Sequence, residues 1–310
     1  METKLLKTYF RELARIKPTG NAIYSPVSTR IALNMYKYME NTKQYDALLN
    51  NRPYLDYKNN ENITKFVNRI WFNQIHLREV DKKLKDLVFP MDMSDFQKAT
   101  NIKDKFVSEQ TNGFITKTPT ILNEDTIYDI MNVTYFKDIW EKRGGYMLNP
   151  QEMKFHNING TETEVPNFTA SSIRVQENDT CYLVALEYKH KNNCWLIYPK
   201  TTIEEVNFDN LQRIKVIATM VIPEFEMKNT YGLENIFNTK TNVSLTQTAK
   251  IKFDHKGTEA AAVTEMLKCC AMPMRDEPQR IELIFDKPFM YIIEDTINKD
   301  YIFIGRVESF

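Results

Sequence analysis

Only four side chains in this sequence could act as an imidazole base in catalysis. The imidazoles are those of His76, His156, His190 and His255, and none of them stands beside a recognisable nucleophile motif. The G-x-S-x-G pattern of serine hydrolases is absent, as are glycine-rich phosphate-binding motifs, and only 8 of the 310 residues are glycine. We therefore do not expect an enzyme, and we expect no bound metal or cofactor.

The four cysteines are Cys181, Cys194, Cys269 and Cys270, and their spacing fits neither a metal site nor an obvious disulfide framework. Cys181 and Cys194 could meet on paired strands. We favour the interpretation that both are small buried thiols.

The charge balance of the chain excludes several classes of partner. Lys plus Arg number 41 and Asp plus Glu also number 41, so no net field attracts nucleic acid or an acidic membrane. No run of about twenty apolar residues predicts a membrane span. The amphipathic segment 1–16 lacks the apolar core of a signal peptide, which predicts a cytoplasmic protein, with secretion through an uncleaved signal as the alternative.

The segment 256–264, K-G-T-E-A-A-A-V-T, carries conflicting local signals. Its alanines favour a helix, whereas Gly257 and the two β-branched residues at its end do not. An alternating strand pattern precedes it at 250–254, and Pro273 and Pro278 argue against a central strand or a helix after it. A strand thus runs into a tether of about thirty residues, and a loop that long in a compact domain is functional or disordered.

Helical patterns come mostly first along the chain and strand patterns mostly last. This order predicts one α+β domain over residues 1–310, with large antiparallel or mixed sheets. Helices are predicted at 1–16, from Pro26 onward, and at 80–87, 99–106 and 233–237; strands are predicted at 21–24, 62–72, 127–136, 172–176, 181–188, 194–198, 215–222, 251–254, 281–285, 290–294 and 301–305.

Several segments, in order along nearly the whole chain, match the motifs of one protein family. They are N-A-I-Y-S-P-V-S at 21–28, T-N-G-F-I at 111–115, M-N-V-T-Y-F-K-D-I-W-E at 131–141, V-I-P-E-F at 221–225 followed by Y-G-L at 231–233, G-T-E-A-A-A-V-T at 257–264, F-D-K-P-F at 285–289 and F-I-G-R-V at 303–307. Each motif is weak alone, but as a set they resemble the serpins. The resemblance implies a monomer with the serpin fold: a large central mixed β-sheet, additional sheets, helices and an exposed reactive-centre loop at about 256–280.

The chain is shorter than most serpins. The missing length falls between Glu40 and Asn62, where the resemblance implies two helices, and around 201–215. This compaction, together with a composition rich in Asn, Lys, Ile and Tyr, is similar to that of poxvirus serpins. It suggests a viral protein that modulates host defence.

The resemblance implies that the loop is a bait for a serine or cysteine protease. After cleavage, the loop would insert into the main sheet while the protease remains attached as an acyl-enzyme. The implied hinge is Gly257, Thr258, Glu259, Ala260, Ala261 and Ala262. Its inward set of Thr258, Ala260, Ala262 and Thr264 contains no large or charged side chain that insertion would have to bury. These residues favour an active inhibitor, and a non-inhibitory serpin that acts as a binding module is the alternative.

The resemblance also implies a "shutter", a hydrogen-bonded cluster beneath the sheet, made of Ser25, Ser28 and Asn132. Two positions depart from the family pattern. His255 stands where a glutamate commonly forms an ion pair at the top of the sheet, and Gln247 stands where a histidine is common. Titration of His255 near neutral pH is a hypothesis that follows.

Family spacing places the cleaved bond at Cys270-Ala271 or at Ala271-Met272. Either bond offers a small residue to the specificity pocket of the protease, which suggests an elastase-like target. Arg275, which would suit a trypsin-like protease, lies four residues too far along. Oxidation of Cys269 or Cys270 could inactivate the loop.

Overall fold

The structure is a computed structural model that describes residues 3–50, 52–60, 63–118, 122–123, 125–141, 145–149, 151–238, 243–258 and 279–310. Its helices are α1 (Thr3–Ile16), α2 (Pro26–Glu40), α3 (Asp46–Leu49), α4 (Phe96–Gln110) and α5 (Glu234–Phe237), with 3-10 turns at Tyr54–Asp56, Gln74–His76, Lys82–Leu87 and Ile203–Glu205. Within the described ranges, none of the helices has the length and apolar character that a membrane span requires.

The strands follow mostly in the second half of the chain, as predicted. They are β1 (Ala22–Tyr24), β2 (Thr64–Asn73), β3 (Val88–Met91), β4 (Tyr128–Phe136), β5 (Asp138–Ile139), β6 (Met147–Leu148), β7 (Met153–His156), β8 (Glu162–Val165), β9 (Asn167–Ser172), β10 (Val175–Glu177), β11 (Cys181–Glu187), β12 (Asn193–Pro199), β13 (Gln212–Ile214), β14 (Val216–Pro223), β15 (Phe225–Gly232), β16 (Val243–Ser244), β17 (Thr246–Asp254), β18 (Gly257–Thr258), β19 (Gln279–Ile284), β20 (Phe289–Asp295) and β21 (Asp300–Val307).

These strands form an α+β fold with several sheets. One sheet has seven strands in the order β1-β21-β20-β12-β11-β10-β13, and all of its pairs are antiparallel. Three sheets have four strands each, in the orders β19-β14-β9-β6, β15-β17-β18-β5 and β16-β4-β2-β3, and β7 pairs with β8. The last of the four-stranded sheets is mixed, because β16 and β3 are parallel to their neighbours while β2 and β4 are antiparallel.

The expected large central sheet is divided in two. Among the described residues, β4 pairs with β16 and β2, and β17 pairs with β15 and β18, but β4 and β17 do not pair with each other. We call the gap between β4 and β17 the slot. Residues from both strands and from α4 line it, including Ile130, Asn132, Thr246, Thr248 and Val107.

The two short regions of the chain contain little helix. Between Glu40 and Asn62 the structure has the four-residue α3 and one 3-10 turn, and between 201 and 215 it has a 3-10 turn and β13 at the edge of the seven-stranded sheet. Local predictions were wrong in two places. The helix predicted at 80–87 is a 3-10 turn at Lys82–Leu87. The strand predicted at 172–176 is divided into β9 and β10 by a turn in which the Ser172 hydroxyl accepts a hydrogen bond from the backbone N–H of Arg174.

Helix α2 begins where the sequence predicts. Ser25 is the N-cap, and its Oγ accepts a hydrogen bond from the backbone N–H of Ser28 at 3.2 Å, while Pro26 occupies the first turn. The same hydroxyl donates to the carbonyl of Ile302 in β21 at 2.7 Å. The cap therefore also fixes the start of the helix to the seven-stranded sheet.

A buried ion pair joins α1 to α2. The side chain of Arg30 is 1% exposed, and both of its terminal nitrogens donate to the carboxylate of Glu12. The guanidinium also lies over the ring of Tyr9, 4.6 Å from its centroid, and Tyr24 donates its hydroxyl to the same carboxylate. This bidentate geometry positions α1 against the element that carries Ser25.

We expect Glu12→Gln to lower the free energy of unfolding by about 3–5 kcal/mol, because the Arg30 charge would remain buried without its counter-ion. Chemical denaturation followed by circular dichroism would measure the change. Arg11→Gln is the matched control, since Arg11 is exposed on the same helix and should change stability by less than about 0.5 kcal/mol. Equal effects of the two substitutions would contradict the prediction.

Candidate functional site

The first two residues of the predicted hinge form a strand at one end of the slot. After Asp254, a two-residue turn leads into β18, which pairs antiparallel with β17 and, on its other side, antiparallel with β5. Gly257 lies opposite Ile139, Thr258 lies opposite Asp138, and both hinge residues are buried. The hinge thus begins as a strand between the two halves of the divided sheet.

Gly257 is required by both its backbone and its surroundings. Its φ is +150°, which side chains rarely adopt. A Cβ at this position would lie 2.2 Å from the carbonyl oxygen of Asp138 and 2.7 Å from the Cα of Ile139. The hinge can therefore approach β5 this closely only with glycine at its start.

An aromatic stack fixes the turn and the hinge. The Trp140 ring stacks between Tyr146 and Tyr188, with centroid distances of 5.2 and 4.4 Å. Its Nε1 donates to the carbonyl of Asp254 at 2.8 Å, and the hydroxyl of Tyr188 shares a 2.5 Å hydrogen bond with that of Thr258. Tyr188 is a contact that sequence reasoning missed, because no local pattern connects residues 70 positions apart.

His255 lies in the turn between β17 and β18, and its imidazole contacts the carboxylate of Glu224. Its Nδ1 donates to Glu224 Oε1 at 2.6 Å, and its backbone N–H donates to the same oxygen at 2.9 Å. Both side chains are partly exposed, at 27% and 20%. At the position where the resemblance implies a glutamate in an ion pair, this chain therefore has a histidine that contacts a carboxylate.

A second histidine–carboxylate pair lies on the other side of the hinge. Asp138 Oδ1 accepts hydrogen bonds from His190 Nδ1 at 2.7 Å and from the backbone N–H of Ile139 at 2.9 Å. The Asp138 side chain is fully buried, and its Oδ2 has no hydrogen-bond partner among the described residues. Burial raises the pKa of Asp138, while the nearby imidazole acts in the opposite direction.

Beneath the sheet, Gln247 connects β17 to the start of α2. Its Oε1 accepts from the backbone N–H of Ser25, and its Nε2 donates to the carbonyl of Ser25, both at 2.9 Å. The Nε2 also donates to the hydroxyl of Thr29 at 3.0 Å, and Gln247 is only 3% exposed. One amide side chain therefore satisfies several buried groups at this joint.

The structure brings together two of the three predicted shutter residues. Ser25 and Ser28 are adjacent through the helix cap, but Asn132 lies in β4 and has other partners. Its Nδ2 donates to Asn68 Oδ1 at 2.6 Å, and its Oδ1 accepts from Thr134 at 2.8 Å. Asn132 instead lines the slot, on the strand that faces β17.

The hinge, the slot and the shutter are consistent with the resemblance noted in the sequence. A family model described as serpin (serine protease inhibitor) matches residues 38–310 of the chain. The chain belongs to the serpin family.

Curated relatives agree with the family assignment. Alpha-1-antitrypsin 1-3 of Mus musculus is 25% identical over 359 residues, which covers 96% of this chain and 85% of the relative. Alpha-1-antiproteinase of Rattus norvegicus is 23% identical over 361 residues, with the same coverage of 96% and 85%.

Two solved structures share the fold of this serpin. The structure of thyroxine-binding globulin in complex with thyroxine has a TM-score of 0.77 at 20% identity and covers 99% of this chain and 97% of its own. The thermophilic serpin tengpin in its native state has a TM-score of 0.75 at 18% identity, with coverage of 96% and 92%.

The remaining predicted site residues lie outside the described residues. These are Glu259, Ala260, Ala261 and Ala262 of the hinge, and Cys270, Ala271 and Met272 at the predicted cleavage site. Cys181 and Cys194 are described, and both are buried free thiols, as expected. They lie on the paired strands β11 and β12, but Cys194 is opposite Leu186 and Cys181 is opposite Pro199.

Proposed function

We propose that this serpin inhibits a protease by acting as a suicide substrate. The observation that supports the proposal most directly is the pairing of Gly257 and Thr258 between β17 and β5. A hinge that already forms a strand at the end of the slot can continue along β17 in the same antiparallel sense. The backbone groups of β4 and β17 that face the slot would then gain the hydrogen bonds that an added strand supplies.

In this mechanism the target protease attacks the carbonyl carbon of the residue before the cleaved bond. The oxygen of the protease serine, or the sulfur of a cysteine protease, forms an acyl bond, the peptide bond breaks, and its nitrogen takes a proton as the new amino terminus. Inhibition requires insertion to finish before water hydrolyses the acyl bond. The small inward side chains of the hinge sequence support rapid insertion, because no large or charged group must be dehydrated.

The proposed target is an elastase-like serine protease, on the basis of the small residues at the predicted bond. We expect a covalent adduct that survives SDS gel electrophoresis after the serpin is mixed with such a protease. Mass spectrometry of the released C-terminal peptide should show a new amino terminus at Ala271 or Met272. A fragment beginning at Asp276 would instead identify Arg275 as the bait and a trypsin-like target.

The alternative is a non-inhibitory serpin that acts as a binding module. The structure of thyroxine-binding globulin in complex with thyroxine supports this alternative, because a protein that shares the fold holds a small ligand. Cleavage without any SDS-resistant adduct, and with an unchanged melting temperature after cleavage, would favour this alternative. In either case we propose a monomeric protein without enzymatic activity.

The setting in which this serpin acts is also a proposal. Its compact length and Asn-, Lys-, Ile- and Tyr-rich composition suggest a poxvirus-type protein that acts in the host cytoplasm against a host-defence protease. Fractionation of cells that express the chain would test the location. Recovery of the protein from the medium would support the alternative of secretion through an uncleaved signal.

A further inference from the structure

We infer that His190 is a positioning residue for loop insertion, and that its protonation favours the conformation in which the hinge lies between β17 and β5. This inference rests on the proposed inhibitory function and concerns how insertion is regulated at that site. It depends on one buried carboxylate, on the imidazole that contacts it and on the hinge strand β18 that pairs with the carboxylate's strand β5.

The hinge lies directly against the Asp138 residue that His190 contacts. Thr258 is opposite Asp138 in the β18–β5 pair, and the Asp138 side chain is fully buried with the hinge in this place. The turn between β11 and β12 supports β5 from the other side, since the backbone N–H of Lys189 donates to the carbonyl of Ile139 at 2.9 Å. His190 belongs to this turn, so its contact with Asp138 connects the turn to the residue opposite the hinge.

Asp138 creates an electrostatic cost that depends on where the hinge lies. When the hinge pairs with β5, the carboxylate loses its contact with water, and its hydrogen-bond donors are His190 Nδ1 and the backbone N–H groups of Ile139 and His190. A neutral imidazole can donate this bond, but it leaves the buried negative charge uncompensated. An imidazolium donates the same bond and also neutralises the charge, and such charge-assisted bonds are about twice as strong as neutral ones.

The His190 imidazole can exchange protons with solvent, because its side chain is 42% exposed, whereas Asp138 is not accessible. Protonation at mildly acidic pH should therefore stabilise the paired hinge, and deprotonation at alkaline pH should weaken it. Since insertion begins from the paired hinge, the acyl-enzyme should be trapped more often at pH 6 than at pH 8.

The charged and titratable side chains on the elements around Asp138 include one imidazole besides that of His190. These side chains are Lys137 and Glu141 beside β5, Glu187, Tyr188, Lys189 and Lys191 around the β11–β12 turn, and Asp254, His255 and Lys256 around the β17–β18 turn. Burial raises the pKa of Tyr188 well above its usual value, so its hydroxyl stays neutral. Among these, His255 is the one imidazole besides that of His190.

His255 differs from His190 in what it contacts. Its carboxylate partner Glu224 lies between β14 and β15 and is 20% exposed, whereas the partner of His190 is fully buried opposite the hinge. Solvent screens the Glu224 pair more strongly than the Asp138 pair. His255→Gln therefore provides a matched control in which one imidazole is removed and the Asp138–His190 contact is kept.

The experiment measures the ratio of trapped to merely cleaved serpin on SDS gels at pH 6, 7 and 8, with one elastase-like protease. We expect the ratio for the wild-type chain to be about three to five times higher at pH 6 than at pH 8. His190→Asn, whose amide can still donate a neutral hydrogen bond, should remain at the pH 8 ratio throughout. Asp138→Asn, which removes the buried charge, should remain near the pH 6 ratio throughout.

The outcomes separate this inference from the proposed function. Retention of the wild-type pH dependence in His190→Asn, or its loss in His255→Gln, would overturn the inference while leaving inhibition intact. If no variant forms an adduct at any pH, the inhibitory function itself fails. In that case, amide hydrogen exchange at Gly257 and Thr258, corrected for intrinsic rates, tests the positioning role separately. Exchange should be slower at pH 6 than at pH 8 in the wild type, and it should not slow in His190→Asn.

Discussion

Replacing Thr258 with arginine should convert this serpin from an inhibitor into a substrate. We expect the yield of SDS-resistant adduct to fall at least about tenfold, while the target protease still cuts the loop at the same bond. The reason is local to the hinge. Thr258 is 3% exposed, and its hydroxyl bonds to the buried Tyr188. An arginine side chain there would have to lose its hydration and displace the Tyr188 contact at a packed position beside β5, and the Asp138 carboxylate opposite it would offset only part of that cost of several kcal/mol.

Two variants make this test specific to insertion. Thr258→Ser keeps the hydroxyl that reaches Tyr188 and should trap the protease almost as well as the wild type. Tyr188→Phe removes only the other member of the hydrogen bond, so its yield should lie between those of the serine and arginine variants. An arginine variant that traps the protease at the wild-type level would show that residue 258 need not stay buried between β17 and β5, which would contradict the proposed mechanism.

Local sequence rules predicted the elements that frame the site. The Ser25-Pro26 pair identified the start of α2, because a capping hydroxyl followed by proline is a short-range signal that tertiary packing seldom overrides. Alternating apolar residues similarly identified the strand that leads into the hinge. The serpin motifs then related these local elements to one fold.

The contacts inside the site could not be predicted in this way. The pairs Thr258–Tyr188, Asp138–His190 and Gln247–Ser25 are separated by 70, 52 and 222 residues. Such contacts depend on how the sheets are placed in three dimensions, and neither periodicity nor spacing encodes that placement. The resemblance to the serpins identified Gln247 and His255 only as departures from the family pattern. It did not indicate which groups their side chains contact.

For Asn132, the sequence motif predicted a contact that differs from the one in the structure. The motif around it assigned it to a cluster with Ser25 and Ser28, whereas its amide bonds to Asn68 on the neighbouring strand. Asn68 and Asn132 are directly opposite each other in the β2–β4 pair. With β4 and β17 separated by the slot, the Asn132 amide donates its hydrogen bond across the β2–β4 pair.

Replacing Gln247 with leucine should produce the largest loss of stability at the site. The substitution keeps the approximate volume of the side chain but removes its hydrogen bonds to Ser25 and Thr29. The backbone N–H of Ser25 would then be buried without an acceptor, and we expect a loss of about 3 kcal/mol. Thermal denaturation of the uncleaved protein would measure this loss as a fall in the midpoint of unfolding.

The fall in the unfolding midpoint should depend on how many of the hydrogen bonds to Ser25 and Thr29 a variant retains, so a graded series of substitutions at Gln247 is possible. Gln247→His, which introduces the residue common in the family, can satisfy some of these groups but cannot reproduce the paired contact with both backbone groups of Ser25, so its midpoint should lie between those of wild type and leucine. Thr248→Ala is the control on the same strand, because it removes only an exposed hydrogen bond to Thr230. If Gln247→Leu and Thr248→Ala lower the midpoint of unfolding equally, the hydrogen bonds between Gln247 and α2 add no more to stability than the exposed Thr248 bond. If only Gln247→Leu lowers the midpoint, and this variant also loses inhibitory activity faster on warming, the hydrogen bonds of Gln247 to the start of α2 restrain opening of the slot before cleavage.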